Sequence, residues 1–159
     1  MDESGCSVDG DDDRRPVGTA TRRGLLSAVG VGAVGAVSGC LESTDSGPYG
    51  GYLSTANGFE SVVDRTGQSS VTVRVGAGEG LAFAPAAVKV SPGTTVVWKW
   101  TGLGGRHNVA SEEAGFSSPY YVGEGQTFER TFAETGVVKY HCVPHKSAGM
   151  LGVVEVVEG

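Results

Sequence analysis

Apolar and polar residues alternate along several short stretches in the second half of the chain. Residues 71–75 (VTVRV) and 87–90 (AVKV) carry an apolar side chain at every second position. This is the pattern of a β-strand with one buried face. Runs rich in β-branched and aromatic residues follow at 94–100, 127–132, 137–142 and 151–157, and such residues favour strands. Turns rich in Gly and Pro separate the runs, for example Ser91-Pro92-Gly93.

These stretches amount to six or seven short strands about ten residues apart, and no segment has a convincing helical period. Antiparallel sheets packed face to face bury such strands economically, so the pattern predicts an all-β sandwich. A small closed barrel would also bury them and is the competing architecture. Residues 51–70 are less regular, but their apolar positions lead us to expect that they dock on the domain: Tyr52, Leu53, Phe59, Val62 and Val63.

Residues 1–39 are predicted to be an export signal behind an acidic leader. The pair Arg22-Arg23 is followed by 15 uncharged residues, 24–38, a run too short and too rich in Gly for a membrane span. This arrangement resembles a twin-arginine export signal. Such signals carry proteins that are already folded and often hold a cofactor, which favours a metal in the mature domain.

The end of this signal predicts a lipid anchor. Residues 37–40 (VSGC) resemble the lipobox of a prokaryotic lipoprotein, in which Cys40 becomes the lipidated first residue. Residues 40–51 then form a flexible polar tether, and residues 52–159 form the folded domain. We therefore expect an extracytoplasmic protein anchored to the outer face of the cell membrane. A plain signal peptide, cleaved nearby with Cys40 incidental, is the alternative.

Composition narrows the classes of function. The chain has 159 residues, enough for one domain and little more. Its net charge of −6 argues against nucleic acid as a partner. Of its three cysteines, Cys6 and Cys40 lie in the targeting region, so Cys142 alone remains in the predicted domain. A disulfide framework is therefore excluded there.

One segment of the predicted domain carries a metal-binding pattern. Residues 140–150 (YHCVPHKSAGM) present Cys142, His145 and Met150 as Cys-x2-His-x4-Met on one loop, and His107 lies 35 residues before Cys142. Two imidazoles, one thiolate and one weak thioether are the ligands of a blue-copper electron-transfer site. The pattern predicts one type 1 copper ion held by these four side chains.

Other chemistries fit these residues less well. Structural zinc usually takes several thiolates in a closed tetrahedral site and has no role for Met. A catalytic Cys/His pair would need an oxyanion hole and a substrate pocket, and nothing in the sequence indicates either. His141 adjoins Cys142 on a predicted strand, where side chains alternate, so we expect it to point away from the metal.

Four protein ligands leave no metal position open for a substrate. We therefore expect a protein that is not an enzyme, binds no small-molecule substrate and transfers single electrons between Cu(I) and Cu(II). A copper enzyme domain would need ligands for a second centre, and His141 is the only other His. A copper storage or delivery protein outside the cytoplasm is the alternative function, although it would favour tracts rich in Met and His.

Together these motifs resemble the plastocyanin-like cupredoxins, and most closely the halocyanins of haloarchaea, over roughly residues 52–157. The resemblance rests on residues 81–85 (LAFAP), 107–109 (HNV) and 142–150, while residues 62–67 resemble the halocyanin N-terminal extension. It implies an eight-stranded Greek-key sandwich with copper at one end. It also implies transient redox partners in a respiratory chain, with electrons carried between membrane complexes.

The resemblance also implies roles for residues around the metal. The exposed edge of His145 would be the electron port, ringed by Leu81, Pro144 and Gly149. Asn108 would tie the His107 strand to the cysteine loop by hydrogen bonds.

Two positions depart from the plastocyanin pattern. His141 stands where plastocyanins have Tyr, which puts docking through that face in doubt. Arg106 stands where they have Pro, and a cation near the port could attract an acidic partner.

Overall fold

A computed structural model describes residues 48–159 as two β-sheets joined by short connections. Its strands are β1 Val63–Asp64, β2 Ser70–Ala77, β3 Ala82–Ala84, β4 Ala87–Val90, β5 Thr94–Trp100, β6 Ala110–Ser111, β7 Phe116–Ser117, β8 Thr127–Phe132, β9 Gly136–His141 and β10 Leu151–Val156. Short 3-10 segments occupy Pro48–Gly51 and Val143–Ala148. The predicted export signal and Cys40 lie outside the described residues. Within residues 48–159, no helix is long and apolar enough to cross a membrane.

The two sheets confirm the predicted sandwich. One has the strand order β1-β4-β10-β9-β6-β7 and the other β3-β2-β5-β8. The sheets are mixed rather than antiparallel throughout, because β1–β4, β4–β10 and β2–β5 pair in parallel while the other strand pairs are antiparallel. After β2 and β3 the chain crosses to the opposite sheet, where it forms β4, and then crosses back to form β5. Because of this crossover, β5 runs parallel to β2.

The number of strands also differs from the expectation. Ten strands are present among the described residues, against six or seven expected from the alternation and eight implied by the resemblance. Four of them, β1, β3, β6 and β7, are two or three residues long. An alternating pattern needs about four residues to be visible, so the sequence could not show these strands.

The main core lies between the sheets and extends to the metal-binding loop. Val73 and Trp98 belong to the four-stranded sheet, while Tyr140 and Val154 belong to the six-stranded sheet, and all four are fully buried. The rings of Trp98 and Tyr140 meet edge to face with centroids 5.3 Å apart. Cys142 and Met150 are part of the same buried cluster. The candidate ligands are therefore held by packing at one end of the core.

A second, smaller core lies on the other face of the six-stranded sheet. Residues 48–62, which we call the cover segment, pack there. The buried members of this core are Leu53, Ala87, Leu151 and Val153, with Tyr49, Tyr52, Ala56, Phe59 and Val62 packed against them. The expected docking of residues 51–70 is confirmed. This cover explains why β10 is a nearly continuous apolar run, since both of its faces are buried.

Candidate metal centre

His107 is held in place by hydrogen bonds of its own backbone. It lies between β5 and β6 and forms an isolated antiparallel bridge with Tyr121, with N–H to carbonyl distances of 3.0 and 2.9 Å. The indole N–H of Trp100 donates to the carbonyl oxygen of His107 at 3.2 Å. The imidazole is completely buried, so its orientation is set by its neighbours rather than by water.

The loop between β9 and β10 carries the other three candidate ligands. Its three ligand residues are bonded to one another through their backbones: His145 N–H donates to the Cys142 carbonyl, Met150 N–H to the His145 carbonyl, and Cys142 N–H to the Met150 carbonyl, each at 3.1 Å. Gly149 turns the chain before Met150 with φ 83°, a conformation that Gly adopts at little cost. These hydrogen bonds and the turn at Gly149 define the shape of the loop.

Three potential donor atoms converge at this end of the sandwich. Cys142 Sγ lies 3.6 Å from His107 Nδ1 and 3.5 Å from His145 Nδ1, and the two Nδ1 atoms are 3.1 Å apart. Sulfur and nitrogen ligands about 2.0–2.3 Å from a shared metal ion lie at such separations from each other. The fit to one ion is therefore good. Copper suits this donor set because it binds both thiolate and imidazole.

The hydrogen bond at the far side of His107 fixes which ring nitrogen faces the site. His107 Nε2 lies 2.8 Å from the carbonyl oxygen of Leu103. A carbonyl only accepts hydrogen bonds, so Nε2 carries the proton and Nδ1 offers a lone pair. Gly76 makes this contact possible, because a Cβ there would lie 2.6 Å from the Leu103 oxygen and 3.4 Å from His107 Nε2.

The protonation of the site follows from its burial. Burial lowers the pKa of His107, and the nearby His145 lowers it further, although the hydrogen bond to Leu103 opposes this. His107 is thus neutral, as a metal ligand must be. Burial raises the pKa of the Cys142 thiol, while hydrogen bonds from the backbones of Asn108 and His145 lower it. A bound cation would displace the thiol proton and create the thiolate.

Asn108 links the two parts of the chain that supply the donors. Its Oδ1 accepts a hydrogen bond from the backbone N–H of Val143 at 2.9 Å, and its Nδ2 lies 3.3 Å from Ser117 Oγ. The side chain is almost fully buried. The implied role of Asn108 in tying the His107 segment to the cysteine loop is confirmed.

Met150 and His141 differ in their relation to the converging donors. Met150 is fully buried in the same core cluster as Cys142, and its backbone carbonyl accepts a hydrogen bond from the Cys142 N–H. Its role as a ligand stays a prediction. His141 is also buried, but its Nε2 lies 3.8 Å from Glu112 Oε1, and it shares a surface pocket with Tyr52 and Lys146. His141 does not belong to the group of converging donors.

The surface around the donors differs in one respect from the expectation. His145 is the only one of the three donors that is not fully buried, and Leu103 and Val143 are exposed apolar residues. Gly149 was expected in the apolar ring around the port, but it is buried. The reason is the cover segment: a Cβ on Gly149 would lie 2.4 Å from the carbonyl oxygen of Thr55.

Comparison with known proteins agrees with this chemistry. A family model described as copper binding proteins, plastocyanin/azurin family, matches residues 69–157. Halocyanin from Natronomonas pharaonis is 52% identical over 99 residues, which cover 60% of this chain and 61% of halocyanin. Plastocyanin A/B from Petroselinum crispum is 37% identical over 95 residues, covering 53% of this chain and 97% of the plastocyanin.

Among solved structures, a Cu-containing nitrite reductase from Thermus scotoductus is 27% identical with a TM-score of 0.47. The likeness covers 57% of this chain and 23% of the reductase.

Proposed function

Because the chain belongs to the plastocyanin/azurin family of copper-binding proteins, we propose that it is a one-electron carrier and not an enzyme. His107, Cys142 and His145 are positioned to bind one copper ion, and we propose Met150 as the weak axial ligand. Bound copper would supply the redox chemistry by alternating between Cu(I) and Cu(II).

The observation that carries this proposal is the convergence of one sulfur and two imidazole nitrogens at a largely buried site. With Met150 as the proposed fourth ligand, the protein would supply all the ligands and leave no position for a substrate. This separates a carrier from a copper enzyme, which needs an open metal position.

The chain itself contributes rigidity. The backbone bonds among Cys142, His145 and Met150 fix the loop, and Asn108 fixes the loop to the His107 segment. Because these restraints do not depend on the charge of a bound ion, they would keep the ligands in place in both oxidation states. Little rearrangement then opposes electron transfer.

Electrons would enter and leave through His145, whose ring reaches the surface while the other donors are buried. The exposed side chains of Leu103 and Val143 give this end of the molecule an apolar surface. A small apolar surface fits brief contact with a redox partner, since electron-transfer encounters bury little area and are weak.

The proposed setting is the outer face of the cell membrane, with respiratory redox proteins as partners. Support for this comes from the sequence: the twin-arginine signal and the lipobox that ends at Cys40. Mass analysis of the mature N-terminus is the test. An unmodified start at another residue would contradict the anchor and leave the copper site unaffected.

Visible absorption of the copper-loaded protein tests the carrier function. With Cu(II) the protein is expected to be intensely blue, through charge transfer from Cys142 sulfur to the metal. Cys142→Ser should abolish the colour, while Cys6→Ser, which lies in the predicted leader, should leave it unchanged. A colourless protein that takes up zinc preferentially in cells would contradict the proposal.

A further inference from the structure

The cover segment contacts the metal-binding loop directly. It lies outside residues 69–157, which the family model matches. From its start at Pro48 it crosses the outer face of the six-stranded sheet, where Leu53 is buried against that face. Thr55 and Asn57, in the middle of the segment, reach the turn that connects His145 to Met150. The segment therefore does more than shield apolar surface, because it also contacts the loop of the proposed copper site.

Asn57 makes this contact through three hydrogen bonds. Its backbone N–H donates to the carbonyl oxygen of Gly149 at 2.8 Å. Its side-chain Nδ2 donates to the carbonyl oxygens of Ala148 at 2.7 Å and Leu81 at 2.8 Å. One side chain thus joins three parts of the chain that are distant in sequence: the cover segment, the β2–β3 connection and the metal loop.

Gly149 shows how closely the segment approaches the loop. A Cβ at this position would lie 2.4 Å from the Thr55 carbonyl oxygen and 3.2 Å from Asn57 Oδ1. The loop can therefore neither move towards the cover segment nor, while the Asn57 bonds last, move away from it. Met150 is the next residue, and its N–H bonds back to the His145 carbonyl. A displacement of residues 148–149 would be transmitted to both of these ligand residues.

We propose that Asn57 is a positioning residue for the copper site: by holding the carbonyl groups of Ala148 and Gly149, it sets the distance of the Met150 thioether from the metal. This inference rests on the proposed role of Met150 as axial ligand. The axial ligand tunes the reduction potential of such sites. A side chain remote from the metal and outside the matched family region therefore adjusts the potential of this carrier.

The test compares Asn57→Ala with Tyr49→Phe in the full-length chain. Asn57→Ala removes the two side-chain bonds and keeps the backbone bond to Gly149. The side chain of Asn57 is exposed, so water can replace its bonds to the carbonyls and the variant is expected to fold. Tyr49→Phe is the matched control, because it removes one hydrogen bond of the same segment, from the Tyr49 hydroxyl to Glu155 at 2.9 Å, on a strand that is not part of the loop.

Two measurements distinguish a residue that positions the metal loop from one that only attaches the cover segment to the domain. In the Cu(II) protein, Asn57→Ala should change the intensity ratio of the visible charge-transfer bands and raise the reduction potential, since a more distant thioether donates less to Cu(II). In the metal-free protein, the amides of Gly149 and Met150 should exchange with solvent roughly fivefold faster, the factor expected for the loss of one ordinary hydrogen bond. Tyr49→Phe should leave the spectrum, the potential and these exchange rates as in the wild type.

A second variant, Asn57→Asp, strengthens the test. Its carboxylate would face the carbonyl oxygens of Ala148 and Leu81, so an attractive contact would become repulsive, and the potential should change at least as much as in Asn57→Ala. Wild-type spectra and potentials in both Asn57 variants would overturn the inference. If the wild-type protein itself were colourless with Cu(II), the proposed function would be wrong, and the exchange rates of the metal-free protein would still decide whether Asn57 restrains the loop.

Discussion

At the scale of single residues, each proposed ligand is controlled by a different neighbour. The Leu103 carbonyl fixes the proton of His107 on Nε2, and the backbone of Asn108 helps to lower the pKa of Cys142 against the effect of burial. Met150 is held by its place in the core and by the backbone bonds of its loop. The Asn57 bonds proposed to position it act on that loop, so its thioether is restrained indirectly.

Met150→Leu should keep copper bound and raise the reduction potential. Leu fills nearly the same volume, so the core is maintained, while the thioether donor is lost and Cu(I) is favoured. Voltammetry and a metal assay on the same sample measure both effects. Complete loss of copper would show that Met150 is more than a weak axial ligand.

Asn108→Ala should destabilise the fold by about 1–3 kcal/mol, because it removes a buried side chain and leaves the backbone N–H of Val143 without its protein acceptor. Urea unfolding of the metal-free protein measures the change. Ser117→Ala is the control, since it removes the longer bond to Asn108 Nδ2 and a 3.3 Å bond to the Ser118 carbonyl but keeps the bond between Asn108 and Val143. Equal effects of the two substitutions would contradict the importance of the bond to Val143.

At the scale of elements, the antiparallel pair β9–β10 positions the metal loop that connects the two strands. Gly152 pairs with Tyr140 across this ladder. The Tyr140 ring lies over Gly152, so close that a Cβ there would be 2.3 Å from Tyr140 Cζ. The missing side chain of Gly152 thus lets Tyr140 fill the core two residues before Cys142.

Gly152→Ala should destabilise the protein by about 1–3 kcal/mol or more, because Tyr140 is fully buried and has no free space to move into. Thermal unfolding measures the loss. Gly123→Ala is a suitable control: no atom lies within 4 Å of a Cβ added there. A Gly152→Ala variant as stable as this control would mean that Tyr140 can shift without cost.

At the scale of the whole molecule, the six-stranded sheet lies between two cores, the main one and the one beneath the cover segment. Both cores contain tyrosines: Tyr140 belongs to the main core, and Tyr49 and Tyr52 pack against the smaller one. The Tyr52 hydroxyl donates to the carbonyl oxygen of Tyr140 at 2.8 Å, and burial raises the pKa of Tyr52 to about 12. Burial also raises the pKa of Tyr49 and of Tyr140. All three tyrosines hold their protons more tightly in the folded state than in the unfolded chain.

The metal-free protein should therefore lose stability as the pH rises above about 10, the ordinary tyrosine pKa. Below that pH the contribution of the tyrosines to stability is fully present. Above it the unfolded chain releases its tyrosine protons first, so the contribution of Tyr52 is lost as the pH rises towards about 12. Urea midpoints between pH 9 and pH 12 measure the slope. Tyr52→Phe should make the slope shallower, and a midpoint that rises over this range would contradict the assignment.

Local patterns were sufficient for the longer strands and for most of the site. Alternation revealed β2 and β4, a run of β-branched and aromatic residues revealed β5, and the spacing of Cys142, His145 and Met150 placed three candidate ligands on one loop. Strands of two or three residues were missed because they are shorter than the pattern that reveals a strand. The parallel pairings were missed because they depend on crossovers between sheets.

The sequence by itself determined the chemistry of this protein, because the identity of the donor atoms and their spacing along one loop are local properties. Only the tertiary structure decided how they are used. It brought His107 to within 3.6 Å of Cys142 from another part of the chain, and the Leu103 carbonyl selected the nitrogen of His107 that faces the site. It also placed Asn57 and Thr55 over Gly149. Apart from the contact between Leu103 and His107, these join residues distant in sequence, and they exist only after the sheets have packed and residues 48–62 have covered the outer face.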